Sequence, residues 1–252
     1  MTLRTTVAML ASVLVAGSAS AALSVFNFDA PGDFSSTGPA QMGLFMGNPF
    51  GTFGTDVING APSGVYNFPA ATNTQGLVVT TNAPANGGGA YLNEYTLGYD
   101  IKFINASGYA SLFQTNTSNT NDGDLFRDGS GGLGISGVYD GSIQTDTWYR
   151  LMFTFDLANS TLKKYVDGSL VGTQTLGSGL DGRWSLDPTF EILTDNDGET
   201  NAGSLSRFSF EDRVLSDSEI ATLGGANIPE PSSLAFLAVG VLPMLRRRKT
   251  AR

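Results

Sequence analysis

The sequence contains neither cysteine nor histidine. Without cysteine there are no disulfides, thiolate metal sites or sulfur nucleophile, so the fold must hold itself together by packing. Without histidine the commonest general base, the Ser-His-Asp triad and most zinc or haem ligation are excluded. Any chemistry would rest on carboxylates, and no enzymatic activity is expected. Charge is sparse too, with Asp, Glu, Lys and Arg at 15% of the 252 residues.

What the chain does contain points to strands and turns. The 32 glycines and 10 prolines imply many turns, and abundant Thr, Ser, Val, Phe and Tyr favour β structure. Residues 22–228 carry 8 Lys/Arg against 22 Asp/Glu, a net charge of −14. That surface repels nucleic acid and anionic lipid and attracts divalent cations or cationic polymers, so no nucleic-acid partner is expected.

Arg4, the apolar run Val7 to Ala16 and the small residues Ala19-Ser20-Ala21 follow one another at the start. This order predicts a signal peptide over residues 1–21, with Ala22 as the new N-terminus. The other end reads Pro229-Glu230-Pro231, an apolar stretch from Ser232 to Leu245, then Arg246-Arg247-Arg248-Lys249. It resembles the PEP-CTERM sorting signal of bacteria that export polysaccharide, which implies an exosortase-type transpeptidase as partner. The apolar stretch is expected to be a short transmembrane helix, inserted only transiently. Its length as a helix, about 21 Å, falls short of a hydrocarbon core of about 30 Å, and Pro243 weakens it. The basic cluster is expected to stay cytoplasmic, leaving residues 22–228 outside, in the cell envelope, on the surface or in the extracellular matrix. Three segments result: signal peptide 1–21, one domain over 22–225 and sorting signal 226–252.

Within the domain, residues 30–75 read as loop-rich, because Pro31-Gly32, Gly38-Pro39, Asn48-Pro49, Asn59-Gly60 and Ala61-Pro62 interrupt short apolar patches. From Tyr95 a period of two emerges, Tyr95, Leu97, Tyr99, Ile101 and Phe103 alternating with polar or small residues. It recurs over Trp148 to Leu157, with Tyr149, Leu151, Phe153 and Phe155 expected inward and Arg150, Thr154 and Asp156 outward. Further strands are predicted at Gly132–Tyr139, Leu162–Val166, Leu170–Leu176, Phe190–Thr194 and Leu205–Phe210. Asp167-Gly168 is a hairpin signal, and Asp140-Gly141 is read similarly. One short helix is specified by Ser216 as N-cap, Glu219 three residues on, the Leu215–Ile220 staple and Gly224 as the stop.

Tyr95-Thr96-Leu97-Gly98-Tyr99-Asp100-Ile101, Thr147-Trp148-Tyr149-Arg150-Leu151, Tyr165-Val166-Asp167-Gly168 and Leu215-Ser216-Asp217-Ser218-Glu219-Ile220 follow in this order. The ordered set resembles LamG-like, concanavalin A-like jelly-roll domains. The resemblance implies an all-β fold, a two-sheet antiparallel jelly-roll sandwich with one short C-terminal helix. Its members bind glycans, proteins or calcium at the rim, or serve adhesion, so fold alone does not choose the function.

Candidate ligands for a Ca²⁺ ion are Asp195, Asp197 and Glu199, which gather carboxylate oxygens after a strand. The loop is not an EF-hand, since its twelfth position is Ser206. A second group, Asp122 and Asp124 with Asp128 nearby, is a lesser candidate. The alternative for both is a solvated turn rich in Asp and Asn. Trp184 is a candidate platform for stacking on a sugar, against the alternative of covering the core edge. Glycosidases of this fold family carry a Glu-x-Asp-x-x-Glu string, absent here; Glu191, Glu199 and Glu211 come nearest. The reading is therefore of an exported surface protein whose domain binds glycan, such as exopolysaccharide, or another surface component, with calcium support. A structural packing module without a small ligand comes second, and a carbohydrate-active enzyme third.

Overall fold

A computed structural model describes residues 22–105, 107–115 and 122–226. The proposed signal-peptide site at Ala19 and Ala21 and the sorting residues Pro229, Glu230, Pro231, Arg246, Arg247 and Arg248 lie outside the described residues. The transmembrane-helix expectation needs correction. Among the described residues no helix is long and apolar enough to cross a membrane.

The first strands are β1 (Leu23–Asn27), β2 (Gln41–Leu44), β3 (Thr52–Ile58), β4 (Ala61–Phe68), β5 (Leu77–Thr80), β6 (Glu94–Phe103) and β7 (Ala110–Gln114). Then come β8 (Asp124–Arg127), β9 (Leu133–Ile135), β10 (Val138–Asp140), β11 (Tyr149–Asp156), β12 (Thr161–Val166), β13 (Ser169–Thr175), β14 (Thr189–Ile192) and β15 (Gly203–Glu211). Helix α1 (Asp217–Leu223) follows. One sheet runs β13-β12-β11-β6-β15-β4-β3, with β1 added beside the second half of β15. The other runs β10-β9-β8-β7-β14-β5-β2. The pairs are antiparallel, giving the two-sheet jelly-roll sandwich with one short C-terminal helix.

Alternation determines which side chains fill the sandwich. Tyr95, Leu97, Tyr99, Ile101 and Phe103 on β6, with Leu151, Phe153 and Phe155 on β11, meet Leu112, Phe113, Leu125, Phe190 and Ile192 of the opposite sheet in one core. Tyr95 stacks on Phe155 at 4.5 Å, and Phe190 reaches Phe208 across the layers at 6.2 Å. The inward set on β11 is as expected. Its outward set points away from the core, yet Arg150 and Thr154 are buried, because α1 lies over that face. Arg150 grips Asp100 through two 2.7 Å bonds and donates a third to the Leu223 carbonyl, tying the end of α1 to the sheet.

The helix starts as expected, with a capping box between Ser216 and Glu219 and Gly224 at its end. Asp167-Gly168 turns β12 into β13 with φ of 48° and 80°, the doubly positive geometry of a tight hairpin. Three expectations change. Residues 30–75 hold a long hairpin, β3–β4, turned by Asn59-Gly60 at φ 48° and 82°. Pro62 is tolerated in it because β15 pairs with β4 only over Tyr66 to Phe68, leaving Pro62 with one strand neighbour. Gly132–Tyr139 is not one strand but the hairpin β9–β10, turned at Ser136-Gly137, and Asp140-Gly141 merely ends it.

Candidate functional site

The loop after β14 begins with Asp195, which is buried. Its Oδ2 accepts from the backbone N–H groups of Asp197 (2.7 Å) and Glu199 (2.9 Å), and its Oδ1 accepts from Gln114 Nε2 (2.6 Å). These bonds shape the turn, while Asp197 faces solvent. Among the described residues no three carboxylates converge as a metal cage.

The structure instead aligns polar groups on the outer face of the seven-stranded sheet. Gln114 on β7 stands in register with Asp124 on β8 and with Glu191 on β14. Side chains opposite one another in such a ladder share a face, so Asp124, Gln114 and Glu191 form one row. Asp122 joins it, its carboxyl close enough to Asp124 for a hydrogen bond. Burial, then the neighbouring Asp122, pushes Asp124 up to about 7. Burial likewise raises Glu191 to about 7, with Asp122 adding to it. Arg183 is the nearby cation, 3.9 Å from Asp124.

Trp184 lies beneath this row. Its carbonyl accepts from the Tyr95 hydroxyl at 2.7 Å, its ring is 5.9 Å from Phe155, and only 3% of it is exposed. The sugar-stacking role for Trp184 is thus corrected, since the indole is core. A Cβ at Gly123 would stand 2.7 Å from Trp184 Cε3, so glycine is what lets Asp122 and Asp124 flank a backbone pressed onto the ring.

Further along the same face are two tyrosines. Tyr139 on β10 is cross-strand to Gly134, itself cross-strand to Phe126. Tyr109, just before β7, is 41% exposed and packs 5.7 Å from Tyr139 and 6.0 Å from Phe126. Asn201 Nδ2 fixes the Tyr109 carbonyl at 3.1 Å. Burial, the Tyr109 hydroxyl and the carboxylates of Asp128 and Glu199 push Tyr139 up to about 12. Asp128 accepts from Ser130 and Gly132 N–H and so keeps its loop in place. Glu199 is raised by burial and by Asp195 and Asp197. An aromatic pair flanked by hydrogen-bonding carboxylates suits the apolar faces and hydroxyls of a sugar.

These tyrosines were not singled out from sequence. The available signal was Tyr109 directly after Ser107-Gly108, an aromatic residue at the head of a strand. A groove of about 430 Å³ lies elsewhere, beneath α1, lined by Met152, Leu215 and Leu223 among others. Its Arg213 is committed to Glu211 and Glu219.

Comparison with known proteins bears on this arrangement. None of the curated proteins matches the sequence. Domain 4 of AbnA, a GH43 extracellular arabinanase from Geobacillus stearothermophilus solved with arabinotriose, is 18% identical at a TM-score of 0.54, covering 81% of this chain and 98% of that one. The botulinum neurotoxin serotype D binding domain is 14% identical at 0.51, covering 81% of this chain and 51% of that one. Botulinum neurotoxin type C, whose cell entry depends on two ganglioside molecules, is 16% identical at 0.50, covering 81% and 50%. This chain spans about half the length of the neurotoxin chains. At these identities the likeness establishes the fold. The family model for the concanavalin A-like lectin/glucanases superfamily matches residues 66–221, more than half of the chain. The chain belongs to the concanavalin A-like lectin/glucanases superfamily.

Proposed function

We propose that this domain is a non-catalytic glycan-binding module of an exported cell-surface or matrix protein. The observation that carries the reading is the pair of exposed Tyr109 and half-buried Tyr139 beside Asp128 and Glu199, on the outer face of the seven-stranded sheet. The tyrosine rings supply a stacking surface, and the carboxylates accept hydrogen bonds from sugar hydroxyls. Superfamily membership and the arabinotriose held by AbnA domain 4 support a saccharide as ligand. Export by residues 1–21 and processing by an exosortase-type transpeptidase at the Pro229-Glu230-Pro231 segment would place the domain where exopolysaccharide is found.

A glycan array followed by calorimetry on the best ligand tests the binding. Tyr109→Ala is expected to weaken affinity at least about tenfold, the loss of roughly 1.4 kcal/mol of stacking. Full affinity in that variant, or no glycan bound at all, would sink the proposal. Turnover of the bound polysaccharide would move the protein to the third class, a carbohydrate-active enzyme. Intact-mass analysis of the envelope fraction tests the address: the mature chain should start at Ala22 and lack Arg246 to Arg252.

A further inference from the structure

The charges around the tyrosine pair are of one sign. Of the eight lysines and arginines among the described residues, five sit on the outer face of the eight-stranded sheet or in the turn into α1. Lys164 is turned into the sandwich and fully buried against Asp140, and Arg127 lies over the Phe103 ring in the core, 2% exposed. Arg183 stands at the other end of the seven-stranded face, beside Asp124. The tyrosines are bordered by acids instead. A Cβ at Gly132 would stand 2.9 Å from Tyr139 Cβ and 3.4 Å from Asp128 Oδ1, so glycine there lets the carboxylate lie beside the ring. The loop carrying Glu199 is fastened to β7 by a 2.7 Å bond from Ser111 N–H to the Glu199 carbonyl. Ser111 stands opposite Phe126, the ring on which Tyr109 packs, and its own hydroxyl is buried without a partner. Buried polar atoms are almost always satisfied, so this one points to a ligand group at the base of the site.

Resting on the reading that this face binds a saccharide, we infer that its ligand is cationic: a polymer of amino sugars with free amines, whose ammonium group sits on the tyrosine rings and against Asp128 and Glu199. The face of an aromatic ring is negative and attracts a cation, and a carboxylate makes its stronger hydrogen bonds to a charged donor. Both features of the site therefore favour the same group. They disfavour a uronic or sialic acid, whose carboxylate would meet Asp128 and Glu199 with no cation to offset it. An N-acetylated sugar keeps the stacking but gains neither charge term. Further along the face, Gln114 Oε1 and Glu191 Oε2 are also unpartnered, and the Gln114 nitrogen is committed to Asp195, so what the face offers toward β14 is acceptors for the donors of a longer chain. The field of the −14 domain draws such a polymer in.

The test is calorimetry on the full chain with three oligosaccharides of equal length: a glucosamine oligomer, its fully N-acetylated counterpart and a galacturonate oligomer. At about pH 6 the sugar amines are protonated. The amine form should bind at least about tenfold tighter than the acetylated form, and the uronate more weakly than either. Raising salt from about 50 to 500 mM should remove most of that preference. Glu199→Gln and, separately, Asp128→Asn should each weaken the amine form about fivefold and leave the acetylated form unchanged. Asp29→Asn, which removes one exposed charge outside this face, should change neither. Equal or tighter binding of the acetylated or uronate oligomer, lost in Tyr109→Ala, would overturn this inference and leave the saccharide site standing. Amine binding that survives Tyr109→Ala, or that falls as much in Asp29→Asn as in Glu199→Gln, would reduce it to unspecific attraction and also overturn it. Binding of none of the three here, and of nothing on the glycan array, would remove both readings together.

Discussion

Phe153 and Thr154 are neighbours on β11 that face opposite ways, and both are buried. Phe153→Ala removes a ring from the main core and should cost about 3–5 kcal/mol, whereas Thr154→Ala loses a contact with the Tyr165 hydroxyl and should cost about 1 kcal/mol. Denaturant melts of the two variants compare them directly, and equal losses would overturn the sheet assignment. Trp184→Ala should cost about as much as Phe153→Ala, because its ring is packed against Phe155. The inward residues of β6 and β11 were legible because strict alternation specifies a face. Trp184 was not, since an aromatic in a glycine-rich turn carries no period and both readings fit. Asp195 is ambiguous for a related reason: a run of acids looks the same whether its oxygens face a cation or its own backbone N–H groups.

Elements bounded by strong local chemistry could be read directly. Helix α1 has a capping box, and Ser216→Ala should cost about 1 kcal/mol in a thermal melt. Bonds from Ser216 and Arg213 hold Glu219 down to about 2. A carboxyl with a depressed folded pKa contributes stability that is complete above its usual value near 4.5 and is lost as pH falls toward 2. Glu219→Gln should therefore flatten the acid limb of the stability profile in that window, and an unchanged limb would show that the cap carries none of it. On the sheet side, Asp100→Ala strands a buried Arg150 and should cost about 3–5 kcal/mol. The Asp167-Gly168 hairpin was recognisable because apolar strands flank it. The chemically equivalent Asn59-Gly60 was passed over because Pro62 and polar neighbours disguised the strands on either side.

For the whole molecule, the charge balance read from composition governs behaviour in solution. Excess acid on a −14 domain is partly self-repelling, so raising salt from about 10 to 500 mM should lift the melting temperature by a few degrees. A flat response would mean the charges are compensated locally, as Lys102 and Asp56 are beside Trp148. The sandwich itself was legible from ordered motifs, but the binding face was not, because it is assembled from β7, β8, β10 and β14, which are distant in sequence. The way the chain enters and leaves the eight-stranded sheet has a mechanical consequence. Ala22 is pinned to Asp212, beside the start of β6, while Ala226 packs with Ile58 near Trp148 and Lys102, at the far end of that strand. A pull between these two points runs along the strands and loads all the β1–β15 bonds together in shear, instead of peeling them one at a time. The tension stays in the sheet that carries β1, β6 and β15, and the tyrosine face on the opposite sheet is left out of the line of force.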